Sequence, residues 1–142
     1  MVETVERTVI NIEEEDFEIY QSIMQKPEWK GKTNIELFTI AVLIGKFEVK
    51  KFQPLNKQKS YIRVKDNADK DEMTLLKCLA IMENEDVNII KNEDEMFKIT
   101  EGYAKTGIRK LFEWYEDSTQ YITELISEVL TDKFEKNESE FF

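Results

Sequence analysis

The sequence predicts a mainly α-helical protein with a single compact domain of five or six helices. The 142 residues include only four glycines and two prolines. Apolar residues recur at intervals of three and four along most of the chain, and helix-start signatures precede several of these segments. The hydrophobic share of 41% is too high for general disorder. The pattern also allows a short N-terminal strand or hairpin arm.

The N-terminal segment leads into the first predicted helix. The first dozen residues hold a few apolar positions among polar neighbours, which fits a short strand or an extended arm on the core. From Phe17 to Met24 the apolar residues form one helical face. The acidic run from Glu13 to Asp16 precedes this face, where carboxylates favour the positive end of the helix dipole. The helix has to end before Pro27.

A second helix is predicted to be the buried centre of the fold. Thr33 and Glu36 have the spacing of a capping box. The segment that follows them, up to Gly45, contains only one further polar residue, Thr39. A helix that is apolar on nearly all sides is surrounded by other elements. We therefore expect this helix to be central.

Residues 47–65 are harder to assign from the sequence, and strand and loop both remain open. Pro54 interrupts this region. The residues from Ser60 to Val64 alternate enough to form a short strand or hairpin arm.

Later helices are predicted from further start signatures and apolar stripes. Capping spacings occur at 69–72 and at 92–95, each before an apolar periodic segment. Gly107 lies within the second of these segments, where glycine costs about 1 kcal/mol relative to alanine and can kink a helix. Residues 117–120 resemble a cap for a last helix, which carries the apolar stripe from Ile122 to Val129.

The predicted domain covers residues 1–131, and the acidic residues 132–142 are predicted to form a mobile tail. Two aromatic residues at the end of that tail, Phe141 and Phe142, have no predicted role. Seven residues from the apolar faces are predicted to lie in the core: Phe38, Ala41, Leu76, Leu79, Phe97, Tyr103 and Phe112.

Composition excludes several classes of function. The chain contains no histidine, which excludes Ser-His-Asp and Cys-His catalysis and histidine zinc ligands. The glycines are scattered, so no phosphate loop and no cofactor are predicted. The lone cysteine, Cys78, is predicted to be a small core residue, and a chain without disulfides fits a reducing cytoplasm. The apolar runs are too short to span a bilayer, and no membrane contact is expected.

The acidic residues form no recognisable metal or catalytic pattern. Four of them lie close together before a predicted helix: Asp66, Asp69, Asp71 and Glu72. This group lacks the alternating ligands and central glycine of a calcium loop, so a helix cap is the preferred interpretation. Glu36, Glu101 or Glu113 could in principle divide acid and base roles. Because the chain has thirty acidic residues, such pairs are expected by chance, and no enzyme activity is predicted.

Charge is distributed unevenly along the chain. The segment from Lys26 to Lys65 holds ten of the twenty basic residues and three of the thirty acidic ones, so it carries +7 and the remainder −17. Interleaved aromatic residues are typical of a surface that binds a polyanion or an acidic protein, although lysine-rich connections are often only solvated. Seven residues are the predicted contacts to nucleic acid or a partner: Lys46, Lys50, Lys51, Lys57, Lys59, Arg63 and Lys65.

Two segments resemble a known family. Residues 34–46 place a phenylalanine, an alanine and a glycine on one helix before a lysine-containing loop with Pro54 and Leu55. Residues 101–107, Glu-Gly-Tyr-Ala-Lys-Thr-Gly, form an acidic, aromatic-alanine and glycine segment. In order and separation these motifs resemble small proteins encoded beside DNA phosphorothioation (Dnd) systems, over about residues 13–116. The family often has a glycine after the basic residue of the loop, where this chain has Phe47 and Glu48.

The resemblance implies an accessory role near DNA modification or restriction and identifies no catalytic residue. With the charge segregation, it leads to the hypothesis of a non-enzymatic accessory protein of a defence system, with protein partners and a weak DNA contact. Two alternatives remain open. An acidic inhibitor or DNA mimic of viral type is favoured by the total charge and disfavoured by the basic segment. A homodimeric structural subunit would pair through the stripe from Ile122 to Val129, although such a stripe more often packs on its own domain.

Overall fold

The structure is a computed structural model that describes residues 4–141, with side chains described up to Thr131. It is mainly helical, as the sequence predicts, with 71% of the chain in helix. The described residues form two strands and four α-helices, in the order β1 (Val9–Glu13), α1 (Phe17–Met24), α2 (Asn34–Leu43), β2 (Gln58–Arg63), α3 (Asp71–Asn84) and α4 (Glu93–Phe141). A π-helical segment, Ile44–Val49, directly extends α2.

The number of helices differs from the expected five or six. Residues 117–120, which resemble a new cap, are an uninterrupted part of α4. A cap is needed only where backbone N–H groups have no partner in a preceding turn. Inside a continuous helix those N–H groups are already hydrogen-bonded, so residues 117–120 do not begin a new helix.

The central position of α2 is confirmed. Phe38, Ala41 and Val42 are fully buried, and the polar Thr39 is buried as well. The Thr39 hydroxyl donates a hydrogen bond to the carbonyl oxygen of Ile35 at 2.7 Å, which removes the cost of burying an unpaired polar group. The apolar run of the sequence therefore marks a helix packed on nearly all sides.

The two strands pair in an antiparallel sheet, so the N-terminal strand is present. The strand option for Ser60 to Val64 is correct as well, although β2 begins two residues earlier and ends at Arg63. Residues 50–57 remain a loop. Ile10 pairs with Ile62 but Asn11 pairs with Ser60, so one extra residue, Tyr61, interrupts the register of β2. Such a bulge twists the strand and redirects its side chains.

The chain before β1 is joined to the start of α4. The backbone N–H of Val5 donates to the oxygen of Lys91 at 2.9 Å, and the N–H of Glu93 donates to the oxygen of Val5 at 2.8 Å. The predicted cap at Asn92 is confirmed, because its side-chain oxygen accepts a hydrogen bond from the N–H of Glu95 at 3.1 Å.

Most of the predicted core is correct, with two corrections. Six of the seven residues are buried, whereas Phe112 is only half-buried. Cys78 is exposed rather than in the core. It shares a helical face with Leu75 and Met82, three and four residues away, which are exposed too. One face of α3 therefore packs against the protein and the other, although apolar, does not.

Contacts divide the chain into two units, the first ending at Leu111 and the second beginning at Phe112. The first unit contains the sheet, α1 to α3 and the N-terminal part of α4. The second is the rest of α4, and its described side chains are mostly exposed. The predicted tail at 132–142, which includes Phe141 and Phe142, lies outside the described side chains, so its mobility stays a prediction.

Candidate functional site

The two segments that carry the family resemblance meet where α2 and its π-helical extension cross α4. A Cβ atom on Gly107 would overlap the carbonyl oxygen of Ala41, and a Cβ atom on Gly45 would overlap the carbonyl oxygen of Tyr103. The two backbones are therefore in direct contact, which only residues without a side chain permit. Gly107 is therefore needed for the close approach of the two helices, and the glycines of the two sequence motifs mark the point where the helices cross.

The loop that follows the π-helical segment is anchored on α4. The Thr106 hydroxyl donates to the carbonyl oxygen of Lys51 at 2.8 Å, and the N–H of Gln53 donates to the oxygen of Gly102 at 3.3 Å. The Phe52 ring packs edge-on against Tyr103, with ring centroids 5.6 Å apart. Because its backbone is pinned at these points, the loop presents its side chains from a defined position.

Beside this loop, α4 carries a row of charged residues, two buried and one partly exposed, that face the N-terminal segment. Glu101, Lys105 and Arg109 are four residues apart and therefore lie along one face of the helix. Each of them pairs with a residue from the N-terminal part of the chain. Charged residues are rarely buried unless they are paired, and the spacing of these three on a buried face is the signal that sequence reasoning missed.

The most buried of these pairs joins Lys105 to Glu13. Their side chains are 5% and 3% exposed, and Lys105 Nζ lies 3.0 Å from Glu13 Oε1. The carboxylate also accepts hydrogen bonds from the N–H groups of Asn56 and Lys57, the latter at 2.8 Å. Burial raises the pKa of this carboxyl, but the hydrogen bonds from Lys57, Lys105 and Asn56 outweigh that effect and hold the pKa below its ordinary value.

A second pair joins Arg7 to Glu101 in a two-pronged arrangement. Arg7 Nη1 and Nη2 donate to the two oxygens of Glu101 at 2.9 and 2.8 Å. The N–H of Asn11 donates to the same carboxylate at 2.6 Å. Burial is the largest influence and raises the pKa of Glu101, against the opposing effect of Arg7 and Asn11. The pair therefore fixes β1 on α4.

The third pair joins Arg109 to Asp16 at the beginning of α1. Arg109 Nε donates to Asp16 Oδ1 at 3.0 Å, and burial raises the pKa of Asp16 despite this partner. Asp16 Oδ2 and the hydroxyl of Tyr20 are buried without a hydrogen bond among the described residues. All three pairs connect the N-terminal segment to one face of α4, and their arrangement is that of a structural clamp.

The structure places the seven predicted contact residues in different surroundings. Lys46 is bonded to Glu83 of α3 at 2.6 Å, and its side chain is only 13% exposed. It also lies over the ring of Tyr103 at 5.3 Å. Lys46 therefore takes part in packing, and its availability to DNA is reduced.

The other six predicted contacts form three groups. Lys50 and Lys51 are exposed on the anchored loop. Lys57 and Lys59 line a cleft of about 590 Å³ that also contains acidic residues, and Lys57 pairs with Glu14 at 3.3 Å. Arg63 and Lys65 line another cleft, of about 510 Å³, beside β1. Lys50 and Lys51 line neither of these two clefts.

Two of the acidic residues considered for catalysis, Glu101 and Glu36, make structural hydrogen bonds. The carboxylate of Glu101 accepts hydrogen bonds from Arg7 and from the N–H of Asn11. Glu36 accepts a hydrogen bond from the hydroxyl of Thr33 at 3.2 Å. Within the described chain, no group of three or more acidic or cysteine side chains could hold a metal ion. In the same residues, no helix has the length and apolar character needed to cross a bilayer.

Residues 10–142 match the model of a family described as DNA sulphur modification system-associated protein 4. The chain belongs to this family, which confirms the resemblance drawn from the two motifs. The match also includes the end of α4, which the motif-based resemblance over about residues 13–116 leaves out. No curated protein and no solved structure matches the chain.

Proposed function

We propose that this protein is a non-enzymatic accessory component of a DNA sulphur modification system, acting through protein contacts with a weak additional contact to DNA. The observation that carries the proposal is the family match over residues 10–142. An accessory component has to be recognised by other proteins of its system, so its exposed surfaces matter more than any enclosed pocket.

The absence of a catalytic role is supported by how the buried carboxylates are used. Glu13, Asp16 and Glu101 each have a cationic partner on or near α4. A general acid or base has to reach a substrate proton, whereas these carboxylates are occupied by structural hydrogen bonds. The composition adds to this support, because a chain without histidine lacks the commonest acid–base residue.

The DNA contact is supported by the anchored loop. Lys50 and Lys51 are exposed there, and two aromatic rings beside them, Phe47 and Phe52, are 47% and 44% exposed. Lysines contact phosphates without regard to sequence, and aromatic rings can stack on bases. Because the chain is acidic outside its basic segment, we expect affinity no tighter than the roughly 10⁻⁴ to 10⁻⁶ M of non-specific binding.

The protein-contact part is tested with the purified proteins encoded beside this chain's gene. Full-length chain, labelled at the exposed Cys78, is titrated with each of them, and fluorescence anisotropy reports binding. We expect at least one micromolar or tighter complex. If every protein of a complete DNA sulphur modification system fails to bind, the accessory role is wrong.

The DNA part is tested with charge-reversal pairs and duplex DNA at low salt. Lys50→Glu/Lys51→Glu should remove most of the binding, and Lys57→Glu/Lys59→Glu should remove less because acidic residues already surround that pair. A control with the same charge change, Lys77→Glu/Lys91→Glu, should bind almost as well as the unmodified protein. The binding constant should fall with salt by about 0.9 log units per phosphate contact for each log unit of salt. An equal loss in all three variants would mean that only total charge matters.

A further inference from the structure

The second unit exposes a continuous apolar surface. Six large apolar side chains of α4 are between 45% and 65% exposed: Tyr121, Ile122, Leu125, Ile126, Val129 and Leu130. Isolated exposed apolar residues are common, but a contiguous patch of this kind marks a binding surface in a stable protein. We refer to these six residues as the apolar stripe.

The stripe has the geometry of a helix that lies in a groove. Ile122, Leu125, Ile126 and Val129 occupy positions i, i+3, i+4 and i+7, the anchor pattern of an amphipathic helix bound in an apolar groove. At about 100° per residue, the apolar stripe covers roughly half of the helix circumference. That is wider than the narrow seam of a two-stranded coiled coil. The geometry therefore favours a groove over one facing helix.

Most of the stability of a helix in a protein comes from packing of its apolar face. Residues 112–131, the part of the second unit whose side chains are described, form twenty residues of α4, or about 30 Å, and expose the apolar stripe. An occupant on the stripe would therefore stabilise this part of the helix, and the family match includes it.

The charges of the helix indicate the chemistry of that occupant. Residues 112–131 contain five carboxylates and no basic residue. Asp117, Glu124 and Glu128 lie toward one edge of the polar face, and Glu116 lies toward the other. A second copy in the same position would bring two such acidic helices together, which like charges disfavour. A groove rimmed by lysine or arginine would instead be complementary on both sides.

We propose that residues 112–131 are a docking helix that binds an apolar groove rimmed by basic side chains on another protein of the same DNA sulphur modification system. This inference rests on the proposed accessory function and names the surface that performs it. The carboxylates of the helix would partly neutralise the basic rim of that groove.

The test uses full-length protein labelled at Cys78 and each purified protein of the system. Two variants act independently: Ile122→Ser/Ile126→Ser removes the centre of the apolar stripe, and Glu124→Lys/Glu128→Lys keeps the stripe but reverses its acidic edge. Gln120→Ser/Ser127→Ala is the control on the polar face, opposite the apolar stripe. Circular dichroism monitors the helix in every variant, and sedimentation gives the oligomeric state.

We expect the unmodified protein to bind one protein of the system and the control to bind equally well. Each of the two variants should weaken that complex at least about tenfold, a hot-spot effect, and the charge variant should lose less at about 0.5 M salt, where charges are screened. Unchanged affinity in both variants would overturn the docking helix and leave the accessory function standing. Absence of any complex would overturn both.

Two further outcomes also decide the proposal. If the unmodified protein is a dimer and Ile122→Ser/Ile126→Ser makes it a monomer, the stripe is a contact between copies and the proposed occupant is wrong. If the isoleucine variant loses binding but the charge variant does not at any salt concentration, the groove is apolar without a basic rim, and that part of the proposal is wrong.

Discussion

Two helical regions of this protein have similar apolar side chains in opposite environments. Along α2, Leu37, Phe38 and Val42 are fully buried. Along residues 112–131 of α4, isoleucine, leucine and valine side chains are about half exposed. Apolar periodicity alone therefore identifies a face that can be buried, and it does not identify what buries it.

Small residues account for much of the difference. Ala41 and Gly45 let α2 and its π-helical extension approach the backbone of α4 at Gly107. Residues 112–131 contain neither glycine nor alanine, so no backbone can come equally close there. The first region is suited to close packing inside one chain, and the second has larger side chains that remain exposed.

The largest effect is expected for Gly107→Ala, which tests the helix crossing. In a free helix this change would stabilise by about 1 kcal/mol. Here the new Cβ would overlap the Ala41 carbonyl oxygen, so we expect a loss above the roughly 4–5 kcal/mol that marks exceptional substitutions. Urea unfolding followed by circular dichroism measures it.

Two glycine controls sharpen that result. Gly102→Ala would meet only the Phe52 ring, a partly exposed side chain that can rotate, and should cost less. Gly31 has φ of +84° and no neighbour within 4 Å, so alanine there should cost about 1–2 kcal/mol through backbone strain alone. A Gly107→Ala protein as stable as the original would mean that the two helices do not touch.

The next largest effect is expected for Phe38→Ala in α2. Removal of a fully buried phenylalanine side chain usually costs about 3–5 kcal/mol through lost transfer energy and the cavity left behind. Phe47→Ala is the matched control, because 47% of that side chain is exposed, and its cost should stay below about 1 kcal/mol. Equal losses in the two variants would contradict the central position of α2.

Glu13→Gln tests the buried clamp and its pH dependence. At pH 7 we expect a loss of about 1.5–3 kcal/mol, the usual contribution of hydrogen bonds to a charged group. The pKa of Glu13 is lowered in the folded protein, so its stabilisation is complete above the unfolded value near 4.5 and is lost as pH falls through the folded value. The difference between the two proteins should therefore shrink below about pH 4.5.

Urea midpoints between pH 7 and pH 3 measure this dependence. The control is Glu14→Gln, which removes an exposed partner of Lys57 and should cost less than about 1 kcal/mol at any pH. A difference between Glu13→Gln and the original protein that stays constant down to pH 3 would be inconsistent with a carboxylate stabilised in its charged form.

The smallest effect is expected for Leu125→Ala in the second unit. Its side chain is 45% exposed, and alanine is at least as good a helix former, so the unfolding free energy should change by less than about 0.5 kcal/mol. Calorimetry of dilute protein is the measurement. A loss above about 2 kcal/mol would mean that this leucine is packed in the free protein.

Much of the fold could be predicted from local signals. The boundaries of α1, the cap at Asn92 and the burial of α2 all follow from spacing within a few residues. Predictions failed where residues far away in the sequence determine whether a side chain is buried or whether a helix continues. Cys78 has apolar neighbours in sequence but lies on an exposed face of α3. Residues 117–120 have the side chains of a helix cap but lie inside an uninterrupted helix.

The charged residues illustrate the same limit. Lys46 belongs to the basic segment in sequence, yet Glu83, from a separate helix, pairs with it. Arg7, Glu13 and Asp16 look like solvated charges near the start of the chain until α4 provides partners about ninety residues later. Sequence reasoning could locate charge along the chain, but the pairing of charges depends on the tertiary fold.

The clamp between the N-terminal segment and α4 has a consequence for synthesis on the ribosome. Arg7 and Glu13 bond to residues 94 and 92 positions later. At about 5–20 residues per second, the first strand is made roughly 5 to 20 seconds before its partners on α4. Contacts of such long range form slowly. The nascent chain therefore completes its first unit only when the beginning of its last helix has emerged.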